Sequence, residues 1–308
     1  MKKHSFLRRV AVLLLGVAML LSGCGGVTPA AKSTAETEPF IPYEIPEFHD
    51  SAFHEDAATD YGCVQVDSSC LENGYIAARA VSKSRLKFQV ICGGTKYNYD
   101  LPNQGEPAVF PLNMGNGAYE CKLMESVGDS KYVCAWSKTF EVTMVDEFQP
   151  YLRPNQMSNY GAASACAEKA RELAASCQTD TDVVAAVYEY LVQNITYDND
   201  KAATITSSYL PDPDATLASK TGICFDYASL AAAMFRSLGI PCRLITGFVD
   251  NEIYHAWNCI YLREQGWIAV RIMASPNKWQ RVDITFAAGG TDAEDLLNDA
   301  KYTDNLMY

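Results

Sequence analysis

Two side chains in the second half of the sequence, Cys224 and His255, are of the types that carry out nucleophilic acyl chemistry, and Asp283 could complete them. Cys224 follows Gly222 and Ile223 and opens an apolar run, Phe225 to Leu238, that reads as one helix stopped by Gly239 and Pro241. At a helix N-terminus, unpaired backbone N–H groups and the positive end of the dipole favour a thiolate. The same amides could form part of an oxyanion hole, and Gly222 lets a backbone or substrate come close. A helix-start cysteine taken alone is more often a small buried residue, so the weight comes from what lies downstream. His255 is the one histidine of the second half, so a general base for the thiol is His255 or none. For the carboxylate that would orient the imidazole, two stretches compete. Residues 266–270 are followed by Arg271, a cation that cannot do the job, whereas residues 278–282 are followed by Asp283, which can.

These side chains need elements to hold them. Cys242–Val249 and Tyr254–Leu262 read as two strands across an Asp250-Asn251-Glu252 turn, with His255, Trp257, Cys259 and Tyr261 on one face. Trp257 and Tyr209 are read as core packing, and no substrate-binding residue is assigned. Upstream, residues 160–177 form an Ala-rich helix with Cys166, Ala170, Leu173 and Cys177 on one face. A second helix begins at a cap offered by Asp180-Thr181-Asp182 and shows a core stripe of Val183, Val184, Val187, Tyr188, Leu191 and Val192. Before Pro150 the pattern is β. Leu86, Phe88, Val90 and Cys92 alternate with polar neighbours, as do Tyr119, Cys121 and Leu123. Residues 75–81, 95–101 and 131–144 are strand-like too, separated by Gly93-Gly94 and Gly115-Asn116-Gly117 turns. Short strands at this spacing predict a β-sandwich.

Gly222-Ile223-Cys224, Leu238-Gly239-Ile240-Pro241, His255-Ala256-Trp257-Asn258 and Val282-Asp283-Ile284-Thr285 together resemble the core of the transglutaminase-like superfamily. The resemblance covers about residues 155–285. It implies a papain-like α+β fold, with Cys224 as nucleophile, His255 as general base and acid, and Asp283 as orienter. Two departures are visible: Ile284 stands where the family usually has proline, and residues 263–278 insert an extra hairpin between the His and Asp strands. The expected organisation is a signal segment 1–23, a lipidated Cys24 with a flexible tether to residue 50, a β-sandwich-like domain over 51–150 and a transglutaminase-like domain over 151–308.

Composition narrows the function classes. Of 308 residues 48% are apolar, which excludes a disordered chain. A net charge of −12, from 25 basic and 37 acidic residues, excludes a nucleic-acid binder. Eleven cysteines contain no CxxC pair, and His54-Glu55-Asp56 lacks the second histidine of a zincin, so neither metal nor cofactor is expected. Lys2, Lys3, Arg8 and Arg9 precede an apolar stretch ending in Leu21-Ser22-Gly23-Cys24, which resembles the bacterial lipobox. Lipid on Cys24 would hold the chain on the outer face of a bacterial cell membrane. Losing residues 1–23 removes those four basic side chains and no acidic one, so the lipid rather than charge must do the anchoring. The expected activity is acyl transfer through a thioester, on protein or peptidoglycan-peptide amides, by hydrolysis or transamidation. The alternative is a non-catalytic surface-binding lipoprotein that keeps the fold; a filled triad favours the enzyme.

Overall fold

Alternating apolar residues build the first half. The computed structural model describes residues 40–206, 208–249, 253–262, 279–282 and 302–308. Residues 59–142 carry β1 (Thr59–Asp60), β2 (Gln65–Asp67), β3 (Tyr75–Arg79), β4 (Leu86–Cys92), β5 (Thr95–Leu101), β6 (Ala108–Pro111), β7 (Gly117–Gly128) and β8 (Lys131–Val142). They form two antiparallel sheets, β1-β2-β3-β6 and β5-β4-β7-β8. Leu86, Phe88 and Val90 of β4 and Tyr119, Cys121 and Leu123 of β7 turn inward and are buried, as a period of two requires. Phe88 stacks on Phe110 of β6 at 4.3 Å between ring centroids, so an aromatic pair joins the two sheets.

The second half mixes helices with an antiparallel sheet, as an α+β reading expects. The helices are α1 (Ala165–Ala174), α2 (Asp180–Asn194), α3 (Asn199–Thr204), α4 (Pro213–Ser219) and α5 (Cys224–Ser237). Interleaved are β9 (Thr196–Tyr197), β10 (Thr221–Gly222), β11 (Cys242–Val249), β12 (Ile253–Tyr261), β13 (Trp279–Val282) and β14 (Tyr302–Met307). β11 to β14 make one sheet in the order β13-β12-β11-β14, and β9 pairs with β10 in parallel. α5 is central: every residue from Asp226 to Ser237 is buried, most of them apolar, with Asp226 and Arg236 as buried charges near its two ends. α1 is shorter than the helix predicted over 160–177. The cap of α2 is Thr179 rather than the Asp180–Asp182 stretch, since Thr179 Oγ1 accepts from Asp182 N while the Asp182 carboxylate accepts from Thr179 N at 3.0 Å.

Two terminal stretches are held by tertiary contacts. From Phe40 the expected tether docks on the helices. Tyr43 N donates to Cys177 O at 2.7 Å, and Tyr43 OH donates to Asp180 Oδ1 at 2.8 Å. Pro46 lies over Gly239, whose φ of +75° and lack of a Cβ both suit the site; a Cβ there would sit 2.4 Å from Pro46 Cγ. At the other end β14 pairs with β11, and Tyr308 is buried against Tyr97 and Tyr99 of β5. Residues 40–308 are thus one compact unit whose core runs through both halves. Among the described residues no cysteine from Cys63 onward is joined in a disulfide.

Gly247 makes the meeting of β11, β12 and β14 possible. A Cβ on it would lie 2.1 Å from Thr303 O and 2.7 Å from the Trp257 ring. Backbone cannot give way as a flexible side chain can, so Gly247→Ala is expected to destabilise the protein by roughly 1–3 kcal/mol. An unchanged urea midpoint would contradict this packing.

Candidate active site

Cys224 is the first residue of α5 and is half-buried. What precedes it distinguishes this helix end from the others. Thr179 caps α2, Asp198 caps α3 through Lys201 N at 2.8 Å, and Asp212 caps α4 through Ala215 N at 2.9 Å. The Asp214 carboxylate serves α1, accepting from Ala165 N and Cys166 N. The N-cap of α5 is Ile223, whose side chain has no acceptor to offer the first-turn amides; the side-chain bond at this end is the one Asp226 makes back to Ile223 N. The first-turn amides beside Cys224 keep their donor character toward an anion.

The approach to α5 is pinned from below. Asp198 N donates to Gly222 O at 2.9 Å, and Thr196 N donates to Lys220 O at 2.9 Å, which ties β10 to β9. Asp226, fully buried on the first turn of α5, reaches back to accept from Ile223 N at 2.8 Å. Gly222 is required here by proximity, since a Cβ would lie 2.6 Å from Asp226 Cβ. The same carboxylate accepts from Lys201 Nζ at 2.6 Å and from Tyr209 OH, and Lys201 Nζ also donates to Tyr209 OH at 2.7 Å. Tyr209 is therefore part of a polar cluster and not simply packing. Burial pushes the phenol of Tyr197 up, and the charges of Cys224 and Asp226 add to that shift, so these three groups are within electrostatic reach of one another.

His255 stands near the start of β12, 5% exposed, with its ring 6.3 Å from that of Trp257 and tilted by 25°. Asn258 turns to α5 and donates from Nδ2 to Ala228 O at 2.9 Å; strand alternation gives His255 and Trp257 the other parity. Farther along, Arg236 Nε donates to Cys242 O at 2.9 Å, and Cys242 is the β11 partner of Ile260. These two links run in the same order along α5 and β12, so helix and strand point the same way. Cys224, one turn before Ala228, lies toward the end of β12 that carries His255. β13 ends at Val282, paired with Asn258. Asp283, next in sequence, lies outside the described residues, as do the Asp250–Glu252 turn and Cys24.

A groove of about 840 Å³ opens beside the loop that carries Tyr209, with Phe53, Asn155, Tyr160, Leu210 and Asp212 among its walls. No cluster of three or more His, Cys, Asp or Glu side chains suited to a metal ion occurs among the described residues. No helix among them is long and apolar enough to cross a membrane. Asp226 and Lys201 were not singled out by sequence reasoning. The legible signal was the carboxylate two residues after Cys224, but nothing in the sequence shows which cation meets it.

A central helix opening with a cysteine, packed on an antiparallel sheet that carries a histidine, defines a transglutaminase-like fold preceded by a sheet-rich region. Residues 167–272 match the family model described as the transglutaminase-like superfamily, and this stretch includes Cys224 and His255. No curated protein matches the chain. Among solved structures, it is similar to a candidate cysteine protease from Cytophaga hutchinsonii, at 14% identity and a TM-score of 0.40, covering 76% of this chain and 79% of that one. It is also similar to the periplasmic domain of TgpA from Pseudomonas aeruginosa, at 15% identity and a TM-score of 0.36, with 83% and 79% covered. Red sea bream transglutaminase matches at 17% identity and a TM-score of 0.29; the match covers 68% of this chain and 48% of that one.

Proposed function

We propose that the chain is a cysteine acyl-transfer enzyme that cleaves or transfers protein or wall-peptide amides through a thioester on Cys224. The observation that carries this reading is the position of Cys224 at the start of α5, where the N-cap Ile223 offers the first-turn amides no side-chain acceptor, toward the His255 end of β12. In the first step the thiolate attacks the amide carbonyl and the oxyanion accepts from first-turn amides of α5. The C–N bond then breaks, and the amine leaves with a proton from the His255 imidazolium. In the second step His255 takes a proton from water or an amine, which attacks the thioester and frees Cys224. Asp283 is assigned the orienting role on the strength of the sequence motif. Lipid on Cys24 holds the enzyme on the outer face of a bacterial membrane, within reach of such substrates.

The test is the alkylation of Cys224 against pH, read by mass spectrometry on residues 25–308, with His255→Ala measured beside it. Fast reaction at pH 6, at least about tenfold above a free cysteine and dependent on His255, is the expected result. An accessible Cys224 that reacts like a free thiol and ignores the His255 change would make this a binding lipoprotein instead.

A further inference from the structure

Two residues after the candidate nucleophile lies a buried charge that would work against it. That charge is Asp226, completely buried on the same helix turn as Cys224. As an anion at a helix start it suits the dipole. The same negative charge opposes a thiolate beside it, because like charges at close range disfavour each other's ionised forms. Lys201 resolves the conflict. Its ammonium comes from α3, on a separate stretch of chain, and meets Asp226 Oδ2 at 2.6 Å, while Tyr209 OH serves Oδ1. We propose that Lys201 is a positioning residue of the site: it neutralises Asp226, so that the start of α5 presents a net positive field to the Cys224 thiolate. The inference rests on the acyl-transfer reading for its purpose, but the electrostatic coupling it asserts can be measured without turnover.

The surrounding groups agree with a cluster held in its charged form. Burial works against the charge on Lys201, yet its hydrogen bonds to Asp226 and Tyr209 outweigh burial and push its pKa up. Burial and the Asp226 hydrogen bond together push the Tyr209 phenol up, which keeps it a neutral donor at ordinary pH. The charged and titratable groups that bonds or electrostatics tie to the start of α5 are Tyr197 of β9, Lys201 of α3, Tyr209 of the following loop and Asp226 of α5 itself, while His255 stands on β12, the strand linked to α5 through Asn258. Of these, Lys201 is the permanent cation in the physiological range. The side chain is only 31% exposed, so water screens the pair weakly.

The experiment is the pH profile of Cys224 alkylation in four proteins: wild type, Lys201→Met, Asp226→Asn and the double variant. Lys201→Met should move the profile to higher pH and slow alkylation at pH 6 by roughly tenfold, the usual scale for one nearby charge. Asp226→Asn, which leaves Lys201 uncompensated, should move the profile the other way. The double variant should return close to wild type, because both charges are gone. A Lys201 that acts only as a structural brace would instead leave the double variant as slow as Lys201→Met, and that result would overturn the proposal. Should Lys201→Met not fold, the downward shift in Asp226→Asn carries the test, and no shift there refutes it. The two readings fail separately. A wild-type thiol that reacts like free cysteine sinks catalysis, whereas the charge coupling stands or falls on the differences among the four proteins.

Discussion

Cys224→Ser is expected to lower turnover by at least about 10³-fold while leaving the fold and melting temperature nearly unchanged. The hydroxyl is close in size to the thiol and would occupy the same half-buried position at the start of α5, so packing changes little. On the proposed thioester route what is lost is the nucleophile, since a serine hydroxyl at this site would have no base strong enough to ionise it as a thiol is ionised. The accompanying His255→Ala variant should fall by a comparable factor, and the double variant should be no worse than the weaker single. Groups that act in one covalent step are non-additive, whereas two independent structural defects would multiply. The measurement is release of amine from glutamine-containing peptides and from peptidoglycan stem peptides, with intact-mass detection of the acyl-enzyme. If Cys224→Ser turns over as fast as wild type, the thioester route is wrong.

Arg236→Met should cost about 3–5 kcal/mol of stability, the largest structural effect expected of a single side chain here. Arg236 sits near the end of α5 and is 1% exposed, and no Asp or Glu side chain pairs with it among the described residues. Its guanidinium meets three main-chain oxygens: Cys242 O at 2.9 Å, Arg153 O at 3.0 Å and Tyr308 O at 2.7 Å. Burial pulls the guanidinium below its ordinary pKa, so its charge is held at a cost. Two effects then compete on substitution. Methionine relieves the cost of a buried charge, but it strands three oxygens that each lose a charge-assisted bond of roughly 1.5–3 kcal/mol. Three such bonds outweigh one desolvation penalty of several kcal/mol. The loss should also be local: hydrogen exchange should rise at residues 304–308 and around Arg153 before it rises in β4 and β7. Urea unfolding gives the total, and a midpoint within about 0.5 kcal/mol of wild type would refute the clip.

Several elements were legible because they depend on local chemistry. The alternation in β4 and β7 emerged as buried inward faces, and the apolar run after Cys224 emerged as α5, ended at Gly239. The hairpin of β11 and β12 keeps an unbroken register from Cys242↔Ile260 to Val249↔Ile253, so the face shared by His255 and Trp257 follows from a period of two. Other features had no local signature. Residues 302–307 carry no strand signature of their own; they are a strand because β11 offers an edge and Arg236 and Tyr97 hold the chain to it. Residues 40–50 read as a tether for their prolines, yet Tyr43 and Pro46 find partners on α2 and beyond α5.

The order of Cys224, His255 and the strand before Asp283 was written in motif and punctuation, because a helix start, a turn and an alternating face are each decided within a few residues. The meeting of Lys201 with Asp226 and of Arg236 with Arg153, Cys242 and Tyr308 was decided only in three dimensions. Each joins groups 6 to 83 residues apart, and most of these partners are main-chain oxygens that every residue possesses. No side-chain pattern can announce a partner of that kind. It is chosen when α5 is buried and its polar groups must find acceptors or lose them.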